Sequence, residues 1–147
     1  MALKSNPSGY LLGLDVGDKR IGVAVASAIA RLPQPLDMIA SGDGALQQIT
    51  AIITQENITL LVIGLPRNMK GEETAQSAKI RNFATELSTV TPVPIAFADE
   101  SLSSVRADDL GRHNTFKNVS SDSLAACFIL EEYFLTNDHP YQGVTFK

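Results

Sequence analysis

Two apolar segments joined by a short turn open the chain, and this pair restricts the folds available to it. From Tyr10 to Val16 large apolar side chains alternate with other residues, which is the period-two pattern of a β-strand. The turn Gly17–Arg20 follows, and Ile21–Ala26 is a second apolar segment. So short a connection joins antiparallel neighbours, so the sequence predicts a β-hairpin. Any sheet built on this pair therefore contains antiparallel strands.

Three further strands are predicted after the hairpin. Pro33 and Pro35 restrict the segment around Leu36–Ile39 to an edge strand or an irregular extension, because proline cannot donate a ladder hydrogen bond. Thr59–Gly64 is a continuous apolar run, typical of a parallel strand covered on both faces, and Val93–Ala98 is another strand. The order predicts an α/β fold with a mixed five-stranded sheet flanked by helices. Its first three strands are antiparallel and the later ones parallel.

Four helices are predicted between and after these strands. A cap at Ser41–Asp43 opens the first, which ends at Asn57. The second covers Glu72–Ser88, with two glutamates in its first turn, where the helix dipole favours negative charge. A short helix is predicted over Ser101–Leu110. The last, Asp122–Leu135, is apolar almost all round and is expected to be largely buried.

Length and composition are those of one globular domain. The chain has 147 residues, 44% of them hydrophobic and 19% charged, so a packed core is expected and disorder is not. We predict a single domain over 1–147, with peripheral tails at 1–9 and 136–147. No segment approaches the ~18 apolar residues of a membrane span, and the start lacks the apolar centre of a secretion signal. A cytoplasmic protein is expected, with no membrane partner. Cys127, inside an apolar run, is expected to be a small buried hydrophobe.

Asp15 interrupts the first apolar strand between Leu14 and Val16. A carboxylate in such a place is costly unless it is paired, hydrogen-bonded or bound to a metal. The alternative is a strand-end aspartate that stabilises the following turn at Gly17.

Two later acidic positions accompany Asp15. Asp99 and Glu100 end a predicted strand at the carboxyl end where α/β sheets bind ligands, and in an extended chain they face opposite ways. Only one of them is therefore expected to join Asp15, unless both belong to a solvated strand end. Asp122 opens the last helix, where its alternative role is an N-cap. The small Ala125-Ala126 pair lets this helix approach the sheet.

Three carboxylates in this arrangement suit a divalent metal. Mg²⁺ prefers hard oxygen ligands, and two such ions about 3.5–4 Å apart activate water and stabilise the leaving oxygen of a phosphodiester. His113 and His139 are isolated histidines without a partner at zinc-ligand spacing, and there is no Gly-rich phosphate loop. The three acids are therefore sufficient to hold Mg²⁺ or Mn²⁺ for such chemistry.

Four motifs resemble the YqgF family of proposed pre-16S rRNA nucleases, also described as Holliday-junction-resolvase-like. They are Leu12–Gly17 with Arg20–Ala24, Gly64–Gly71, Asp99–Ser103 and Asp122–Ala126. The resemblance spans roughly residues 10–135 and implies a ribonuclease-H-like fold and metal-dependent phosphodiester hydrolysis. By motif position it implies that Asp15, Glu100 and Asp122 are the catalytic, metal-binding acids. Ser101 stands where the family motif usually has arginine, which leaves the local charge balance and the activity level open.

Basic residues lie beside these motifs. Lys19 and Arg20 occupy the hairpin turn, and Arg67 and Lys70 follow the Thr59–Gly64 strand. We expect them to bind substrate phosphates; the alternatives are ordinary solvated charges and, for Arg20, a pair with an acid. A polar stretch before Asp122 contains three further basic residues, Arg112, His113 and Lys117. This stretch either clamps a strand of the nucleic acid or serves as a linker.

The leading hypothesis is an endonuclease that processes structured RNA, specifically the 5′ end of precursor 16S rRNA. A Holliday-junction-type DNA resolvase is the alternative, and it would require a two-fold dimer. A non-catalytic nucleic-acid-binding or ribosome-assembly module on the same fold is a third hypothesis, favoured by the net charge of −4. Actin-like kinases share an early Asp-x-Gly hairpin but need a second domain, for which this chain is too short. The sequence leaves RNA against DNA and the oligomeric state open.

Overall fold

In a computed structural model of the chain, residues 9–100 and 120–137 are described. The strands are β1 (Tyr10–Val16), β2 (Arg20–Ser27), β3 (Gln34–Ala40), β4 (Ile58–Pro66) and β5 (Ile95–Glu100). The helices are α1 (Ala45–Gln55), α2 (Ala75–Ser88) and α3 (Ser121–Thr136). Outside the described residues lie the predicted helix over 101–110, the basic residues Arg112, His113 and Lys117, and most of both predicted tails. The prediction of one domain over 1–147 stays a prediction.

All five strands belong to one sheet in the order β3-β2-β1-β4-β5. β1 pairs antiparallel with β2, and β2 pairs antiparallel with β3. β4 lies parallel to β1 and to β5. The predicted mixed five-stranded sheet is therefore confirmed. Because β1, β4 and β5 run the same way, their carboxyl ends share one edge, where Asp15 and the β5 terminus lie.

Alternation along the strands gives the sheet a core on each face. Leu12 and Leu14 of β1 pack with α1 and α2 residues such as Ile49 and Ile80. Leu11 packs on the opposite face with α3. Eight of the sixteen residues of α3 are buried and four more are partly buried, which confirms the prediction for this helix. Several of the strand residues under α3 are small. They include Ala24, Ala26 and Ala98, and they face Ala126 and Cys127 of the helix. Cys127 is buried, as expected, and its burial raises the pKa of the thiol to about 12.

The first helix begins later than predicted. Its N-cap is Gly44, in a left-handed conformation with φ of 89° and without a side-chain cap hydrogen bond, so the predicted cap at Ser41–Asp43 is wrong. Ser41 instead donates its hydroxyl to the Gly17 carbonyl at 2.8 Å, which ties this segment to the hairpin turn. The predicted end is confirmed, because Asn57 has a φ of 55° and cannot continue the helix.

The second helix also begins later than predicted. Thr74 is its N-cap residue, so Glu72 and Glu73 precede the helix and the predicted interaction with its dipole is wrong. Glu73 forms a β-bridge with Arg67 and an ion pair with Arg81. These contacts hold the segment before α2 in an extended form. No helix in the described ranges has the length and apolar character needed to cross a membrane.

Candidate active site

Asp15 lies near the carboxyl end of β1, on the face of the sheet that α3 covers. Alternation places it on the same side as Leu11, which packs under α3, and Gly13, where a side chain would meet Leu130 of the helix. The antiparallel register pairs Asp15 with Gly22 of β2. The carboxylate is therefore held on a rigid strand beneath the start of α3.

Asp122 lies in the first turn of α3, and the helix cap belongs to its neighbour. Ser120 is the N-cap residue, and its hydroxyl accepts a hydrogen bond from the Ser123 backbone N–H at 3.2 Å. The alternative role of Asp122 as the N-cap is therefore wrong, and its carboxylate is available for other contacts. A Cβ atom at Gly22 would collide with the Asp122 carbonyl oxygen. Because Gly22 is the register partner of Asp15, this close approach brings the two acids together.

Asp15 is a buried carboxylate with a second acid beside it. Burial, and secondarily the negative charge of Asp122, raise the pKa of Asp15 to about 6. The Arg20 Nε atom donates a hydrogen bond to Asp122 Oδ2 at 3.0 Å, and the Arg20 side chain is half exposed to solvent. No described side chain donates a hydrogen bond to Asp15. The following turn is held instead by the Gly17 N–H, which donates to the Arg20 carbonyl at 2.9 Å.

Ser123 fixes the start of α3 to the sheet. It is fully buried, and its hydroxyl donates to the Leu36 carbonyl at 2.7 Å while accepting from the Val23 N–H at 3.3 Å. These contacts fall at the register shift between β2 and β3, where the ladder is irregular. The sequence reasoning missed both Ser123 and Gly22. A glycine inside an apolar strand was the available signal, because it indicates a close approach of another backbone.

Asp99 does not join the pair. Its carboxylate accepts from Arg67 Nε at 3.0 Å, and two residues earlier Phe97 packs into the core under α1 and α2. Asp99 is therefore on the face opposite Asp15. Glu100 is the last residue of β5, and its backbone is in register with Pro66. The described residues contain no cluster of three metal-ligating side chains, so Asp15 and Asp122 are the predicted ligands that they bring together.

The four basic residues predicted to bind substrate divide into two kinds. Arg20 and Arg67 each bind an acid of the chain, Asp122 and Asp99 respectively. Lys19 and Lys70 are exposed, and within the described ranges neither has an acidic partner. Lys19 lies on the turn after β1 and Lys70 on the loop after β4, so both lie at the edge that carries Asp15.

Comparison with known proteins places these features in a family. The model of a family described as RuvX, Holliday junction resolvase, matches residues 9–136. A relative from Chloroflexus aggregans, named "Putative pre-16S rRNA nuclease", is 35% identical over 137 residues, which cover 89% of this chain and 96% of the relative. A relative of the same name from Ruegeria pomeroyi is 41% identical over 131 residues, which cover 85% of each chain.

Solved structures share the architecture at low sequence identity. RuvC from T. thermophilus in complex with a Holliday junction substrate superposes with a TM-score of 0.57 at 12% identity, covering 90% of this chain and 97% of that one. The fowlpox virus resolvase in complex with Holliday junction DNA gives 0.50 at 10% identity, covering 86% of this chain. This likeness concerns the fold alone, and it confirms the predicted ribonuclease-H-like architecture.

Proposed function

This chain belongs to the RuvX family, and we propose that it is a metal-dependent endonuclease that processes the 5′ end of precursor 16S rRNA in the cytoplasm. The observation that carries the proposal is the pair formed by Asp15 and Asp122 at the carboxyl edge of the sheet. Burial and the second carboxylate raise the pKa of Asp15 to about 6, so the fold keeps two acids together at an electrostatic cost. Such an arrangement is typical of a site that works with a bound cation.

The residues present fit Mg²⁺ or Mn²⁺. Both cations prefer carboxylate oxygens, and a cation between Asp15 and Asp122 would offset their repulsion. We propose Glu100 as the third ligand, because Asp99 is bound to Arg67 on the opposite face and the family motif selects Glu100. When bound, the metal supplies positive charge that acidifies water and stabilises the charge that develops on the phosphate.

The other residues have distinct proposed roles. Arg20 holds the Asp122 carboxylate in place through its Nε atom. Lys19 and Lys70, which have no acidic partner among the described residues, bind substrate phosphates. Arg67 also lies at this edge, and its contacts with Asp99 and with the Gly71 carbonyl indicate that it orders the loop that carries Lys70.

An RNA substrate is favoured by the names of the relatives, which refer to pre-16S rRNA. A second candidate, resolution of four-way DNA junctions, rests on the fold likeness to the junction-bound RuvC. The two differ in substrate and in the need for a two-fold dimer, so one assay compares them.

The test incubates the purified chain with a labelled precursor 16S rRNA 5′ fragment and, separately, a four-way DNA junction. Each substrate is incubated with Mg²⁺, with Mn²⁺ and with a chelator, beside Asp15→Asn and the control Asp43→Asn, an exposed aspartate before α1. We expect metal-dependent cutting of the RNA that Asp15→Asn abolishes and Asp43→Asn retains.

Two results would change the proposal. Cutting of the junction but not the RNA would favour the resolvase. Binding of nucleic acid without cutting of either substrate, in the presence of both metals, would contradict the nuclease and favour the non-catalytic binding module.

A further inference from the structure

The loop between β4 and α2, residues 67–73, is held in one conformation by its own hydrogen bonds. Asn68 organises it: its Oδ1 atom accepts from the backbone N–H groups of Lys70 and Glu72, each at 2.9 Å. Its backbone donates to the Glu72 carbonyl at 2.9 Å and accepts from the Gly71 N–H at 2.9 Å. Gly71 takes a φ of 79°, which glycine adopts without strain. The loop is therefore a tight turn with a defined tip.

The same loop is anchored to the sheet and to α2. Arg67 Nε donates to Asp99 at the end of β5, and Arg67 Nη1 donates to the Gly71 carbonyl at 3.2 Å. At the start of the loop, Ser77 of α2 donates its hydroxyl to the Pro66 carbonyl at 2.5 Å. Glu73 closes the other end through its ion pair with Arg81. These contacts place the tip at a fixed position relative to the carboxyl end of β4.

Met69 lies at this tip and is 98% exposed, more than any other exposed large hydrophobic residue in the described part of the chain. A side chain so exposed buries almost no apolar surface, so it contributes almost nothing to folding. Its neighbour Lys70 is also exposed and has no acidic partner among the described residues. The loop thus holds an exposed apolar side chain next to an exposed lysine that has no acidic partner in the described ranges.

The tip lies at the edge of the sheet that carries the acids. β1 and β4 are parallel, with Leu14 in register with Ile63, so both strands end at that edge. A polynucleotide that crosses this edge from a phosphate at Asp15 would reach the loop after β4. A base and its phosphate offer the two chemistries, one apolar face and one negative charge, that Met69 and Lys70 match.

We propose that the β4–α2 loop is a substrate-contact element in which Met69 packs against a base and Lys70 binds the adjacent phosphate; this inference rests on the proposed nuclease function. Methionine is a long, polarizable side chain, and apolar side chains of this kind insert between or against bases in nucleic-acid complexes. The hydrogen bonds of Asn68 order the loop before binding, which lowers the entropic cost of the contact.

The test measures binding rather than cutting. Asp15→Asn serves as the background in which no substrate is consumed, and the probe is an RNA hairpin with one unpaired 2-aminopurine, read by anisotropy and by fluorescence of the base. Adding Met69→Ala is expected to weaken binding about fivefold, at the lower end of what base stacking supplies. It is also expected to reduce the fluorescence change and to leave the unfolding temperature unchanged. Met69→Leu should restore most of the affinity.

Two further variants separate the contact from general effects. Leu32→Ala removes another exposed apolar side chain, 71% exposed, from the turn at the opposite end of the sheet, and it should bind like the background protein. Asn68→Ala keeps Met69 but removes the bonds that order the loop, and it should weaken binding in the same direction as Met69→Ala.

The outcomes distinguish the two proposals. Equal affinity and equal fluorescence change for Met69→Ala and its background would overturn the base contact. Loss of affinity in Leu32→Ala to the same extent would also overturn it, because the effect would not be specific to this loop. Failure of the Asp15→Asn protein and of the unaltered chain to bind any RNA or junction DNA would instead contradict the proposed function itself.

Discussion

At the scale of single residues, Asp15 is a carboxylate that the fold buries beside a second acid. Its pKa is raised from 3.8 to about 6, first by burial and then by the charge of Asp122. A raised carboxyl pKa means that the folded chain holds the proton more tightly than the unfolded chain. Without a metal, the free energy of unfolding therefore falls as the pH rises from about 4 to about 6, and the loss is complete above that range.

This linkage predicts the behaviour of Asp15→Asn in the presence of a chelator. The variant removes both the buried charge and the repulsion from Asp122. It should be more stable than the unaltered chain at pH 7, by at most about 3 kcal/mol, since one unit of pKa corresponds to about 1.4 kcal/mol. Unfolding temperatures across this pH range measure the effect, with Asp43→Asn as control. Equal pH dependence in the unaltered chain and Asp15→Asn would contradict the buried, coupled carboxylate.

At the scale of the elements, the position of α3 on the sheet determines whether the two acids meet. Gly13 and Gly22 leave room for the helix backbone, and Ser123 bonds to β2 and β3 at their register shift. Because Asp122 immediately precedes Ser123, the direction of its carboxylate depends on this attachment. The Asp15–Asp122 pair is therefore built from a helix–sheet contact.

Ser123→Ala tests this attachment. The change leaves the buried Val23 N–H and Leu36 carbonyl without a side-chain partner, which should lower the free energy of unfolding by about 1–3 kcal/mol. It should also weaken Mn²⁺ binding, because Asp122 loses its fixed direction. Chemical denaturation and calorimetric titration with Mn²⁺ measure the two effects. Ser121→Ala, two residues earlier and exposed, should change neither quantity. Unaltered Mn²⁺ affinity in Ser123→Ala would show that α3 does not depend on this hydroxyl to orient Asp122.

At the scale of the whole molecule, the net charge of −4 predicts limited contact with nucleic acid. In the structure, two of the four candidate cations, Arg20 and Arg67, form ion pairs with acids of the chain. The phosphate contacts that we propose at the edge that carries Asp15 are therefore limited to Lys19 and Lys70. The binding free energy should therefore depend weakly on salt for a nuclease of this size.

The salt dependence of RNA binding measures how many phosphates these lysines contact. Lys19→Ala and Lys70→Ala should each reduce the slope of log Kd against log salt concentration by about 1, because each contact releases about one counterion. Lys79→Ala is the control, since Lys79 lies 3.6 Å from Asp18 and its charge is already compensated. If Lys79→Ala reduces the slope as much as Lys19→Ala and Lys70→Ala do, the effect comes from the overall charge and not from contacts of these two lysines.

The local sequence pattern determined most of the strands of this protein and the way the first two are connected. The bounds of β1, the β1–β2 hairpin, the edge position of β3 and the buried runs in β4 and β5 follow from period-two alternation and from turn and proline chemistry. These depend on residues a few positions apart. The same reasoning placed Asp15 and Asp122 at element ends and limited the Asp99-Glu100 pair to one contributor. The choice of Glu100 comes from the family motif and stays a prediction.

Only the tertiary structure decided how these positions are used. Glu73 lies before α2, where it contacts Arg67 and Arg81. Asp99 lies on the face of the sheet opposite Asp15, where it binds Arg67. Ser120 is the N-cap residue, a role that the sequence offered only as the alternative for Asp122. The partners in the Arg20–Asp122 and Ser123–Leu36 contacts lie 102 and 87 residues apart. Local propensity does not encode contacts at such separations, because they form only when the packed sheet and α3 bring distant segments together.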